Sequence, residues 1–282
     1  LKSFILLCIQ SASANKEVYF LKHDEQKQCY LKDVLVIINH SPNQLAVNRR
    51  TNTLYFSTDI GHGDYVPVML NIDTKKVKVI KGVKDAYAIA SNNHADEIYF
   101  GGSHGIHRYR PIEKSLTSLA ITNLDVWWLH YRREIYFVQF PQLNAYVYKD
   151  RTIKSVRQLL NTGVHQFVFD KDGYLFFLNV TGLYGVKKLS HQHLLVRGRP
   201  SFSGMATDNA GEVFACSDNG IYVVNKVGLK AKRMVRISGA MALAFDKDNN
   251  LIYSDSQELV RLVPVPAEAF NSTKNDKIYF CN

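Results

Sequence analysis

The sequence predicts an all-β fold: a six-bladed β-propeller whose ring closes by pairing of its N- and C-terminal strands. Three observations predict it. A short apolar strand motif recurs six times at intervals of about 40 residues. Each copy follows a second apolar strand and a polar turn. No stretch sustains the 3.6-residue periodicity of an amphipathic helix.

The motif copies are Leu54-Tyr55-Phe56, Ile98-Tyr99-Phe100, Ile135-Tyr136-Phe137, Leu175-Phe176-Phe177, Val213-Phe214-Ala215 and Leu251-Ile252-Tyr253. Their spacings, 44, 37, 40, 38 and 38 residues, match a four-stranded propeller blade of about 40–45 residues. The strand before the motif is read as the innermost of its blade, as in Phe167-Val168-Phe169 and Leu243-Ala244-Phe245. It leads into Asp170-Lys171-Asp172-Gly173 or Asp246-Lys247-Asp248-Asn249. These residue types tolerate positive φ and bond their own backbone, so they turn the chain back. The motif is then the second strand. Seven residues after its start comes Gly105, Gly182 or Gly220, each followed by a β-forming pair, which places a tight turn between second and third strands.

An open array of such repeats exposes strand edges, and closing the ring removes them. The segments 29–36 and 277–281 are both strand-like and are expected to share one blade. Cys29 and Cys281 lie in those two segments. A disulfide between them would enclose 252 residues and constrain the unfolded chain by about 5 kcal/mol at most. Cys216 is left as a buried thiol in a strand.

The first 14 residues read as a secretory leader: Lys2, the apolar run Phe4–Ile9 and the small-residue site Ala12-Ser13-Ala14. The alternative is a buried first strand. Residue 1 is Leu, not Met. Residues 15–282 are expected to form a single propeller domain, secreted and monomeric. No other apolar run approaches the roughly 20 residues of a membrane span. Asn179-Val180-Thr181 and Asn271-Ser272-Thr273 are acceptor sequons for N-glycosylation.

The 282 residues carry a formal net charge of +10, which allows an acidic partner of several kinds. The charge is dispersed in pairs such as Lys75-Lys76, Arg132-Arg133 and Lys187-Lys188. Nucleic-acid binders concentrate charge on one face or element, so the pattern speaks against that class and for a solvated basic surface.

A propeller offers ligands the mouth of its central channel, where the chain enters the inner strands. The residues at that level are Gln44, Tyr87, Asp125 with Val126, His165 with Gln166, Ser203 with Gly204, and Ala240 with Met241. They are mostly small, apolar or neutral. A metal-dependent propeller hydrolase of the lactonase type needs several oxygen ligands in the channel. None of the eight Glu falls on a predicted inner strand, and Asp85 and Asp125 are the carboxylates near the mouth. The reading is a binding protein without metal, cofactor or catalytic residues, with the lactonase-type hydrolase as alternative.

Trp127 and Trp128 are the two tryptophans, adjacent on an inner strand, where alternation sends them to opposite faces. Both pack between blades, or one tips into the channel and stacks on a planar ligand, with Tyr87 and His165 across the mouth. His191-Gln192-His193 offers two imidazoles on one face of a strand as a metal pair, or else an exposed turn; no third ligand is evident. Gly61-His62-Gly63-Asp64 is Gly-rich without the strand-to-helix context of a phosphate cradle, and reads as a long turn.

The stretches Asn48-Arg49-Arg50-Thr51-Asn52-Thr53-Leu54-Tyr55-Phe56-Ser57, Asp172-Gly173-Tyr174-Leu175-Phe176-Phe177-Leu178-Asn179 and Thr181-Gly182-Leu183-Tyr184-Gly185 resemble the ommochrome-binding proteins of moth haemolymph. The likeness covers nearly the whole chain, though its motifs are turn-and-strand pieces. A more distant likeness is to the longer yellow and royal-jelly proteins. The resemblance implies a carrier for ommochromes, planar acidic pigments derived from tryptophan. It carries over no binding-site motif, so the candidate ligand-binding residues, Gln44, Tyr87, Asp125, Trp127, Trp128, His165 and Met241, rest on blade register alone.

Overall fold

The computed structural model describes residues 17–23, 26–61, 63–119, 121, 123–199 and 201–265; for 17–23, 26–29 and 265 it describes the backbone. Two strands, β1 (Glu17–His23) and β2 (Gln26–Ile37), precede the first blade. Blade 1 is β3 (Ala46–Asn48), β4 (Thr53–Asp59), β5 (Tyr65–Asn71) and β6 (Val77–Val79). Blade 2 is β7 (Ala86–Asn92), β8 (Glu97–Gly102), β9 (Gly105–Arg110) and β10 (Ser115–Ser118). Blade 3 is β11 (Asp125–Arg132), β12 (Glu134–Phe140), β13 (Asn144–Lys149) and β14 (Thr152–Ser155). Blade 4 is β15 (Gln166–Phe169), β16 (Leu175–Asn179), β17 (Gly182–Val186) and β18 (Leu194–Arg197). Blade 5 is β19 (Phe202–Thr207), β20 (Val213–Ser217), β21 (Gly220–Asn225) and β22 (Lys230–Val235). Blade 6 begins with β23 (Ala242–Phe245), β24 (Leu251–Ser254) and β25 (Glu258–Val265).

All six motif copies fall on the second strand of their blade, as the spacing predicts: Leu54 in β4, Ile98 in β8, Ile135 in β12, Leu175 in β16, Val213 in β20 and Leu251 in β24. The inner strands touch in ring order, β3 to β7, β11, β15, β19, β23 and back to β3. The motif residues, apart from the half-buried Tyr136, are buried because both faces of a second strand meet a neighbouring blade. Accordingly the apolar cores lie between blades: Tyr55 and Phe100 join blades 1 and 2, Ala88 and Phe137 blades 2 and 3, Phe214 and Phe245 blades 5 and 6.

The N-terminal strand does close the ring, against β25. β2 adds to β25 as the outer strand of blade 6, pairing Cys29 with Val265 and Ile37 with Glu258, and β1 extends the sheet to five strands. Segment 29–36 therefore pairs with 259–265. Strand β25 follows β24 directly through a short turn, so it is the nearest free edge for β2. Cys281, the 277–281 strand, the leader 1–14 and the sequon at Asn271 lie outside the described residues. Cys216 is a free, fully buried thiol in β20, and burial pushes its pKa up to about 12.

The turns between first and second strands form a belt around the opposite end of the ring. Asp170, Asp208 and Asp246 each accept two backbone N–H bonds from their own turn, at 2.8–2.9 Å. These turns also bond one another. Lys171 N donates to Gly211 O, Asn209 N to Asn249 Oδ1, Lys247 N to Asn52 Oδ1 and Arg49 N to Asn93 Oδ1. The tight turns at Gly182 and Gly220 need glycine on two counts: φ is +150° and +145°, and a Cβ would come within 2.4 and 2.3 Å of a carbonyl on the neighbouring strand.

One side chain ties two blades together inside the channel. Gln44, buried just before β3, accepts from Ile89 N at 3.1 Å and Leu129 N at 3.2 Å and donates to Leu129 O at 2.5 Å. Gln44→Leu keeps the size but strands three buried backbone groups. We expect it to cost about 2 kcal/mol in urea unfolding. Unchanged stability would mean that water replaces the amide.

Candidate functional site

At the mouth of the channel lies a cleft of about 390 Å³, lined by Ser41, Pro42, Asn43, Tyr65, Tyr87, Asp125, Trp127, Phe140, Ser203 and Met241. Four aromatic rings run along it in sequence. Tyr65 meets Tyr87 edge-on at 6.1 Å between centroids, Tyr87 meets Trp127 at 6.2 Å, and Trp127 meets Phe140 at 6.0 Å. Phe140 is 46% exposed and Met241, across the mouth on blade 6, is 43% exposed. Large apolar side chains left in solvent around one concavity are the usual marks of a ligand or interaction site.

A backbone irregularity builds this arrangement. In β7 the pairing with β8 skips from Ala86 to Ala88, in β11 the pairing with β12 skips from Val126 to Trp128, and in β19 the pairing with β20 skips from Phe202 to Gly204. The extra residues are Tyr87, Trp127 and Ser203, and all three line the cleft. A bulge breaks strict alternation and re-aims its extra side chain, here into the mouth. Gly204 makes this possible in blade 5: a Cβ there would lie 2.3 Å from Met241 O.

Polar groups are few and specifically placed. The Tyr87 hydroxyl donates to Asp125. Burial, that bond and the charge of Asp125 hold the Tyr87 phenol well above its ordinary pKa, so it stays protonated. Asn43 Nδ2 donates to Trp127 O at 3.1 Å and bridges to Tyr87 O at 3.5 Å, fixing both bulges from blade 1. Trp127 Nε1 is buried without a hydrogen-bond partner among the described residues. Ser203 Oγ donates to Ala240 O at 2.7 Å.

Of the residues singled out from the sequence, Tyr87, Asp125, Trp127 and Met241 come together in the cleft. Trp128 does not: it is 4% exposed, and its indole N–H donates to Phe167 O at 3.0 Å across the blade 3–blade 4 boundary. Gln44 sits deeper, with its amide engaged as described. His165 is not among the lining residues. Strand β15, which begins at the next residue, has no bulge, and His165 N donates to Leu178 O at 2.8 Å. Asp85 turns from the cleft to accept from Ser103 Oγ at 2.6 Å, with His104 Nε2 3.6 Å away. His191 and His193 lie in the loop before β18 and not on a strand face. Each ring bonds a backbone carbonyl, of Arg157 and Gln158.

Sequence reading missed Tyr65 and Phe140. Tyr65 ends and Phe140 begins a turn between second and third strands, and these turns reach the same face. The extra length of blade 1, seen as the 44-residue spacing, is the loop that delivers Tyr65. Asn179 caps its own turn in blade 4, accepting from Thr181 N, Thr181 Oγ1 and Gly182 N, with Val180 82% exposed. No group of three or more His, Cys, Asp or Glu that could hold a metal occurs among the described residues. Nor is any helix there long and apolar enough to cross a membrane.

Fold and cleft define the chain as a six-bladed β-propeller with an aromatic cleft of small-molecule size at one mouth of its channel. It is a relative of the ommochrome-binding protein of Manduca sexta, 28% identical over 243 residues that make up 83% of this chain and 88% of that one. That match bears out the resemblance read from the sequence. No family model matches the chain. Among solved structures it is similar to a gluconolactonase from Xanthomonas campestris, with TM-score 0.67 and 13% identity over 92% of this chain and all of that one. It is also similar to an auxiliary nutrient binding protein from Bacteroides thetaiotaomicron, with TM-score 0.60 and 10% identity over 89% of this chain and 77% of that one. The WD40 propeller domain of Doa1 matches at TM-score 0.58 and 10% identity, over 84% and 98%. At such identities these three speak for the fold alone.

Proposed function

We propose that the chain is a secreted carrier that binds a planar, acidic aromatic pigment of the ommochrome type in this cleft and does not transform it. The observation that carries the reading is the aromatic run Tyr65–Tyr87–Trp127–Phe140 along one wall of the cleft, in a relative of an ommochrome-binding protein. A flat conjugated ligand gains from stacking there, and Met241 closes over its other side. The unpartnered Trp127 Nε1–H offers a donor to a ring carbonyl, and Asp125 an acceptor to a ligand N–H or O–H. The net charge of +10 attracts an anion over distance, so salt should slow its association more than it speeds its release. A lactonase-type reaction would have to work from Asp125 as the one carboxylate lining the cleft.

Titration with an ommochrome tests the reading. Saturable quenching of tryptophan fluorescence is expected, with Trp127 in contact and Trp128 shielded. Protein purified from its native fluid should carry the visible absorption of the pigment. Lactone turnover dependent on calcium or zinc, with no quenching by the pigment, would replace this reading by the hydrolase.

A further inference from the structure

The channel has a second cavity, of about 150 Å³, at the end away from the aromatic cleft. The two share no lining residue. Besides Gln44 and Tyr131, its polar lining is Arg49, Ser91, Asn93, His130 and Thr207, from blades 1, 2, 3 and 5. Ser91 Oγ and His130 Nε2 are buried and have no hydrogen-bond partner among the described residues. An orphaned buried polar atom costs about 1–3 kcal/mol, so two in one cavity point to something that satisfies them.

The lining chemistry says what. Arg49 is the charged residue that lines the cavity, and no lining residue is a carboxylate. Its guanidinium makes no hydrogen bond to a described residue. Asp208 acts on it through space, but that carboxylate is already taken by Ala210 N, Glu212 N and Asn249 Nδ2. Asn93 Oδ1 is used by Arg49 N, which leaves its amide N–H₂ as a donor. Ser91 and Thr207 hydroxyls and an imidazole N–H complete a set of donors around one positive charge. Beyond His130 stands a second cation, Arg132, over the Phe169 ring. A liquid water occupies about 30 Å³, so the space holds a handful of waters or one small polyatomic ion.

We infer that this far end of the channel is a binding site for a small oxyanion, phosphate or carboxylate, held by Arg49 with Ser91, Asn93, His130 and Thr207. Charge-assisted bonds from a guanidinium suit both chemistries. The site is independent of the pigment cleft and stands or falls separately from it.

Thermal unfolding of the full chain tests this with inorganic phosphate or acetate, each against sodium chloride at matched ionic strength. A ligand that binds the folded state raises the midpoint in a saturable way. Phosphate, acetate or both should do so beyond chloride, and which of them does assigns the oxyanion. Arg49→Gln should bind the active anion at least about tenfold more weakly. Ser91→Ala, which removes an unpartnered hydroxyl and leaves the fold intact, should weaken binding too. The inference is overturned if chloride matches both anions, since that is screening of net charge. It is also overturned if Arg49→Gln responds like the parent chain, in which case water alone satisfies the buried atoms.

Discussion

If the cleft holds the proposed pigment, Trp127→Ala is expected to weaken its binding by on the order of 2 kcal/mol, roughly thirtyfold, while leaving the fold nearly as stable as before. Trp128→Ala does the reverse, costing about 3–5 kcal/mol of stability. The two residues are adjacent, and the difference comes from one bulge. Trp127 is the extra residue between two paired positions of β11 and touches Tyr87 and Phe140 in the cleft. Trp128 is paired, buried between blades 3 and 4 among Phe167 and Val168, and donates to a neighbouring backbone carbonyl. Removing it opens a cavity and leaves Phe167 O without its donor. Fluorescence titration and urea unfolding of both variants read the two effects separately. Equal binding losses in folded Trp127→Ala and Trp128→Ala proteins, or none in either, would move the ligand out of the cleft.

Acidification from pH 6.5 towards 4 destabilises the protein through His130, by at most about 3 kcal/mol. In the unfolded chain the imidazole titrates near 6.5; burial, with the nearby Arg132, pushes it down to about 4 in the fold. Between those values the unfolded state binds the proton that the folded state refuses, so unfolding is favoured as pH falls. The contribution is fully present above pH 6.5 and is lost as pH falls to about 4. The ring packs against Phe169 at 5.8 Å, so His130→Phe preserves the contact and removes the titration. The stability difference between parent and His130→Phe, measured in chloride across this window, isolates the effect from the carboxylates that titrate lower down. A difference that stays flat from pH 6.5 to 4 would show that the imidazole is not desolvated.

The cleft was legible in part. Tyr87, Asp125, Trp127 and Met241 were found because the level at which a chain enters each inner strand follows from the repeat. His165 occupies the same level in blade 4, yet β15 lacks the bulge that would turn a side chain inward. Tyr65 and Phe140 escaped because turns between second and third strands vary in length and carry no repeat signature. The choice between Trp127 and Trp128 was open for the same reason: alternation separates the two rings but does not say which one faces the channel.

The sequence by itself determined the number of blades, the strand order within each and the second-strand register. These follow from local chemistry repeated six times: apolar runs that must be covered on both faces, and Asp, Asn and Gly where the backbone must turn. Only the tertiary structure decided which edge receives the N-terminal strand, where the bulges fall, and therefore which rings line the mouth and which polar atoms are left without partners in the far cavity. Those depend on hydrogen-bond register between strands and on how closely neighbouring blades approach. The Gly204–Met241 contact and the Gln44 bridge show this: each joins residues that are remote in sequence and meet only when the blades pack against one another.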